Sequence, residues 1–212
     1  DVFFTPTHYL PPFAPKNSVI SVLDVSYILF PNLFKKKDLI QLKKWTGYSV
    51  KKAKKIITIS ESSKSDIIKA YGVSSDKVAV VYPGIKNESG SMNHELSMDE
   101  LRKKFGIGKK YILFVGTLQP RKNIVRLIEA FSYVILRTKS EGSSSKDSSF
   151  TQNDMLLVIV GKRGWQYEEI LAAPQIYGVK DRVLFLENVT DEELPSFYKN
   201  ALCFVLPSLY EG

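Results

Sequence analysis

The residues best suited to chemistry in this sequence are a glycine and two cations set between an apolar run and a helical pattern. Tyr111 to Val115 (YILFV) is continuously apolar, as a strand buried on both faces is, and Ile124, Leu127, Ile128 and Phe131 recur at helical spacing. The turn between them, Gly116 to Asn123, holds a glycine at the strand's end, a proline that stops further pairing, and then Arg121 and Lys122. In an open α/β sheet a ligand sits beyond the carboxyl ends of the strands, and a helix N-terminus offers unpaired N–H groups and a partial positive charge. A guanidinium and an ammonium placed there make a site for a diphosphate; an ordinary βα turn with two solvated basic residues reads the same way. A second turn of this kind, Gly161, Lys162, Arg163 and Gly164, follows the apolar run Met155 to Val160 (MLLVIV).

The elements that must position these turns alternate between strand and helix. Pro6, Pro11, Pro12 and Pro15 make residues 1 to 18 a loop that presents His8. Ser18 to Val25 then reads as a strand ending near Asp24, and Pro31 breaks the chain before a lysine-rich helix. Lys55 to Ser60 is a strand, followed by a helix that begins after Ser60, with Ser62 or Ser63 as alternative caps, and ends at Gly72; Lys77 to Tyr82 is the next strand. Ile85 to Ser97 is polar and aperiodic, an interdomain linker by composition. After it come a short helix Asp99 to Phe105 with Ser97 as cap, the central strand and helix, and a low-complexity loop, Ser140 to Ser149. The last expected elements are a helix from about Gln166 to Ala173 stopped by Pro174, a strand Arg182 to Leu186, a helix Asp191 to Asn200 and a strand Ala201 to Leu206. Parallel βαβ winding is the natural reading of this order.

Composition narrows the class. With 212 residues, 44% hydrophobic, the chain can bury a sizeable core in one large or two small domains. No apolar run reaches a membrane span, and the N-terminal segment has no signal-peptide pattern. The single cysteine, Cys203, lies in the apolar run ALCFVLP, where a core thiol is expected; it excludes an internal disulfide framework and suits a reducing compartment. Nine lysines and one acid, Asp38, lie between Lys35 and Lys55, so this segment alone carries the +8 excess of the whole chain. Leu39, Leu42, Thr46, Val50 and Ala53 give it one moderately apolar helical face. Such a helix suits either an anionic phospholipid surface or solvent, and nucleic acid less, because aromatics are not interleaved with the lysines.

Four ordered motifs then carry a resemblance. VGTLQPRKNIVRLIEAF, LVIVGKRGW, VLFLENVTDEELPSFYKNA and CFVLPSLYEG resemble the donor-nucleotide domain of the family 4 retaining glycosyltransferases, of GT-B fold. VLDVSYILFP, the lysine-rich helix and KKIITISESSKSDIIKAYGVSSDKVAVVYPGI resemble the second half of that family's acceptor domain. The GTLxPRKN form is similar to the mannosyltransferase-like branch. The resemblance implies an α/β fold with two Rossmann-like parallel-sheet domains, both incomplete here: residues 1–84 of the acceptor domain, a linker 85–97, and 98–212 of the nucleotide-sugar domain. It also implies acceptor-domain sequence before Asp1, and a second glutamate after Gly212 to complete the family's E-x7-E motif, of which Glu211 is the first.

The same resemblance implies roles for individual residues. Arg121 and Lys122 would neutralise the diphosphate of a nucleotide-sugar, Gly116 would let the backbone approach it, and Gly161 and Lys162 would form the second phosphate-side turn. Thr117 stands where many relatives have a further arginine, which puts more of the task on Arg121 or Lys162. Glu211 would accept hydrogen bonds from the donor sugar, and Asn188 and Val189 would touch the base. Leu23-Asp24 occupies the place of a His-Asp pair in many relatives, leaving His8 as the histidine for the acceptor side. The implied reaction is transfer of a hexose, mannose first, from GDP-mannose or a UDP-sugar to a glycan or lipid-linked acceptor at the cytoplasmic membrane face, with retained anomeric configuration and neither metal nor cofactor. A truncated remnant that binds nucleotide or only packs is the other reading.

Overall fold

The structure, a computed structural model, describes residues 1–84, 96–107, 110–140 and 155–212, the side chains of 137–140 aside. The expected linker, apart from its last two residues, and the low-complexity loop after Ser140 lie outside the described residues. The chain forms two compact units, Asp1–Lys86 with Tyr210–Gly212, and Asn87–Leu209.

In the first unit four parallel strands run in the order β1(Phe3–Thr5), β2(Ser18–Ser21), β3(Lys55–Thr58), β4(Val78–Val80). β1 corrects the reading of residues 1 to 18 as a loop. It ends before Pro6 and pairs only as an edge strand, so the prolines cost it no ladder bond. β2 is shorter than expected because the chain leaves the sheet at Val22 and enters a helical turn, α1(Ser26–Leu29), where Asp24 Oδ1 accepts from Ser26 N at 2.8 Å. The lysine-rich helix is α2(Lys36–Lys52); it buries Thr46, Ser49 and Val50 and packs Leu39 and Leu42 on the core of Ile20, Ile56 and Ile67. In α3(Glu61–Tyr71) the cap is Ser60, whose side chain accepts from Ser63 N, and Gly72 closes the helix at φ 64°.

The second unit begins with α4(Met98–Phe105), where Ser97 and Glu100 form a reciprocal capping box. Its sheet has the parallel order β7(Val183–Leu186), β6(Leu156–Val160), β5(Tyr111–Val115), β8(Cys203–Phe204). The helices are α5(Ile124–Ser140), α6(Glu168–Ile176) and α7(Leu194–Asn200). Alternate residues of the central strands serve opposite faces. Phe114, Leu157 and Ile159 pack with Ile124, Ile128 and Ile170, whereas Tyr111, Leu113, Val158 and Val160 pack with Leu101 and Phe197. Both faces are therefore covered by helices, which is why these strands read as unbroken apolar runs. Tyr111 Oη donates to Phe197 O at 2.7 Å, and burial pushes its hydroxyl up to about 12.

Three expectations change here. Pro174 lies inside α6 rather than ending it: the helix sacrifices one donor and closes through Tyr177 N to Ala173 O, 2.9 Å. Residues 191–193 form a turn before α7, whose first positions carry Pro195, a residue pre-set for a helix's first turn. The last strand has two residues on the sheet's edge, so Cys203 is exposed and not a core thiol.

Candidate functional site

The carboxyl edge of the second sheet is built by backbone. Gly116 N donates to Val160 O and Gly161 N to Leu186 O, both at 2.9 Å, so each strand hands its turn to its neighbour in step. Beyond the strands the two glycine turns continue side by side: Leu118 N donates to Lys162 O and Gly164 N to Leu118 O, again at 2.9 Å. A Cβ on Gly161 would lie 2.0 Å from Gly116 O, and one on Gly164 would lie 2.8 Å from Leu118 O. Only glycine allows this approach. The two turns are one folded unit carrying Gly116, Thr117, Gly161 and Lys162.

Arg121 and Lys122 enter from the same side. Pro120–Lys122 form a single 3-10 turn, and Asn123 takes a left-handed conformation (φ 57°) that starts α5 at Ile124. Asparagine tolerates that conformation, and its side chain donates to Pro207 O at 3.1 Å. Leu209 N donates to Arg121 O at 2.9 Å, so the chain after β8 buttresses the cationic turn. Both cations are half-buried, and a Cβ on Gly116 would stand 3.9 Å from Lys122 Cε, so the lysine stem runs beside the glycine. Thr117 and Lys162 are exposed on the same turns. After β7, Glu187 Oε1 accepts from Arg163 Nε at 2.6 Å, and this hydrogen bond holds the exposed guanidinium above its ordinary value. Asn188 is exposed and Val189 half-buried against the core, on the loop that Arg163 ties to the second glycine turn.

The remaining candidates lie in the first unit. His8 lies against Tyr9 with ring centroids 4.0 Å apart and the planes tilted by 52°; burial lowers its pKa, and the Asp24 carboxylate partly offsets this. Glu211 is exposed and is grouped with the first unit. On either side of it, Tyr210 Oη donates to Asp66 Oδ2 at 2.8 Å, and a Cβ on Gly212 would meet Ser63 Oγ at 3.0 Å. The structure thus gathers Gly116, Thr117, Arg121, Lys122, Gly161 and Lys162 on one edge, with Asn188 and Val189 tethered to it, and holds His8 with Asp24 elsewhere. Sequence reasoning placed Asn123 and Arg163 in the two turns but missed their contacts, with Pro207 and Glu187, and missed the 207–209 segment altogether. An asparagine directly before a helix was the one local signal of them.

The turn amides named above are engaged with one another and with the strand ends, so what this edge can offer a diphosphate is close approach at the glycines and the charge of a guanidinium and an ammonium.

Residues 97–212 match the family model of the glycosyl transferases group 1, and residues 14–89 match that of glycosyltransferase family 4. The O-antigen chain mannosyltransferase B of Escherichia coli is 27% identical over 212 residues, which is 100% of this chain and 52% of the relative. Among solved structures, WaaG, a glycosyltransferase involved in lipopolysaccharide biosynthesis, superposes with a TM-score of 0.67 at 18% identity, over 100% of this chain and 54% of that one. HepE of Anabaena, solved in complex with UDP and glucose, gives 0.61 at 20% identity, over 90% of this chain and 46% of its own. The chain spans about half the length of these proteins. By the match over its second half and the two parallel α/β sheets, this chain belongs to the glycosyl transferases group 1 and has the GT-B type of fold.

Proposed function

We propose that this chain carries the donor-diphosphate site of a hexosyltransferase, which takes mannose from GDP-mannose, or a hexose from a UDP-sugar, and passes it to a glycan or lipid-linked acceptor with retained configuration. The observation that carries the reading is the backbone-locked pair of turns at Gly116 and Gly161 with Lys122 alongside and Arg121 on the adjoining turn. Cleavage of the bond between the anomeric carbon and the phosphate oxygen leaves negative charge on the diphosphate, and fixed cations stabilise that state more than the bound donor. The name of the Escherichia coli relative supports mannose as the sugar, and the UDP held by HepE supports a nucleoside diphosphate as the donor's leaving group. In the reading, Glu211 accepts from the donor sugar's hydroxyls and His8 serves the acceptor.

The test is calorimetric titration of the chain with GDP, UDP and ADP, repeated with Arg121→Ala. One nucleotide should bind preferentially, and the variant should bind it about 10- to 100-fold more weakly, the loss of one charge-assisted hydrogen bond. Unchanged affinity in the variant would refute the phosphate assignment. Product analysis with the matching sugar donor, by anomeric NMR signals, then checks transfer and stereochemistry; nucleotide binding with no transfer would remove the catalytic half of the reading.

A further inference from the structure

We propose that the solvent face of α2, with the proline segment on its flank, is a docking surface for an anionic lipid bilayer. Six of the nine lysines fall into two groups of three. Lys52 Nζ donates to Pro12 O and lies 5.5 Å from the Tyr48 ring centre, Lys54 Nζ donates to Asn17 Oδ1 at 3.1 Å, and Lys55 Nζ donates to Asp76 O at 2.5 Å. These three hold the unit together. Lys37, Lys44 and Lys51 are exposed at seven-residue spacing, which on a helix sets them in one row, about 10 Å apart. Asp38, the one acid, sits in the first turn, where the helix dipole favours it.

Apolar side chains stand along this row. Ile40, between Lys37 and Lys44 on the same face, is 68% exposed. Tyr48 Oη donates to Pro12 O at 3.1 Å, and the next residue, Phe13, is 98% exposed. Two aromatics do lie among the lysines, which corrects the sequence reading, but both are engaged by neighbours: Trp45 packs edge-on to Tyr48, itself bonded to Pro12, and shares a shallow groove with Tyr9, Pro11, Pro12 and Gln41. A lysine row suits any polyanion, but an unsupported phenylalanine and isoleucine beside it gain only where hydrocarbon lies behind the anionic layer. Lysines at headgroup level, aromatics at the interface and apolar tips below it are the pattern of a surface-lying helix. Among the described residues no helix is long and apolar enough to cross a membrane.

Vesicle sedimentation with the whole chain tests this independently of nucleotide binding. The chain should bind phosphatidylglycerol-containing vesicles, not pure phosphatidylcholine, and less in high salt. Lys37→Gln/Lys44→Gln/Lys51→Gln should weaken binding on the order of 100-fold, whereas Lys69→Gln/Lys103→Gln/Lys180→Gln, which removes the same charge elsewhere, should keep most of it. Phe13→Ser should abolish the part that survives high salt. Three results would overturn the proposal: no binding to the anionic vesicles, equal losses in the two triple variants, or a Lys37 triple variant that loses binding to duplex oligonucleotide while keeping the vesicles.

Discussion

Replacing Gly161 by alanine tests whether the two glycine turns are a single unit. The new Cβ would lie 2.0 Å from Gly116 O and 2.7 Å from Gly116 C. Carbon and carbonyl oxygen settle no closer than about 3.3 Å, so the two backbones must part by more than about 1 Å. Both clashing atoms are main chain at the ends of paired strands, and neither can rotate aside. Parting the turns breaks Leu118 N to Lys162 O and Gly164 N to Leu118 O, at about 1 kcal/mol each. The positive φ of 156° adds about 1–3 kcal/mol of backbone strain, for a total of about 3–5 kcal/mol. Gly72→Ala is the control: its φ of 64° is also left-handed, but a Cβ there meets nothing within 4 Å, so only about 1–2 kcal/mol is lost. The two tryptophans, Trp45 and Trp165, fall one in each unit, so Trp165→Phe and Trp45→Phe backgrounds each leave one fluorophore to follow the urea unfolding of its own unit. Equal shifts in the two variants, each read from its own unit, or full nucleotide affinity in Gly161→Ala, would refute the argument.

Two further expectations follow from burial. Cys203 lies on the exposed edge strand, so a thiol reagent should titrate it in the native chain nearly as fast as in urea; strong native protection would contradict the edge position of β8. Burial lowers the pKa of His8 below 6.5, so the unfolded chain binds more protons there, and stability from this residue is lost as pH falls from about 6.5 through the lowered folded value. His8→Gln should flatten that part of the curve of melting temperature against pH, and parallel curves for the two proteins would contradict it.

The second sheet was legible wherever burial on both faces left continuous apolar runs, as in Tyr111–Val115, whose bounds match. Caps were legible where a hydroxyl and a glycine bracket a helix, as Ser97 and Gly106 do. Edges were not. β1 and β8 are short and one-sided, and each is set by pairing with a strand outside its own local pattern, Phe3 with Ser18 and Cys203 with Ile112, so Phe3–Thr5 passed as loop and Cys203 as core. Pro174 misled because the lost donor and the ring's crowding of the Ile170 carbonyl weaken the helix without stopping it, and α6 runs only two residues further before it closes. At the candidate site, glycine and cations were visible in sequence. The contact of Gly161 with Gly116, and the support of Arg121 by Leu209, join residues that no local pattern relates.

That last support has a consequence for the order of assembly. The bonds from Asn123 to Pro207, 84 positions apart, and from Leu209 to Arg121 close the largest loops in the second unit's cationic turn. On a growing chain, β5 and the first glycine turn emerge long before the segment that steadies them. Loop closure over such a span costs entropy that local contacts do not repay, so the turn should take its final shape late, after β6 and β7 have paired. A nascent chain halted before Pro207 would then hold a sheet with its cations still unset, and competence to bind an anion would arrive as one of the last events of folding.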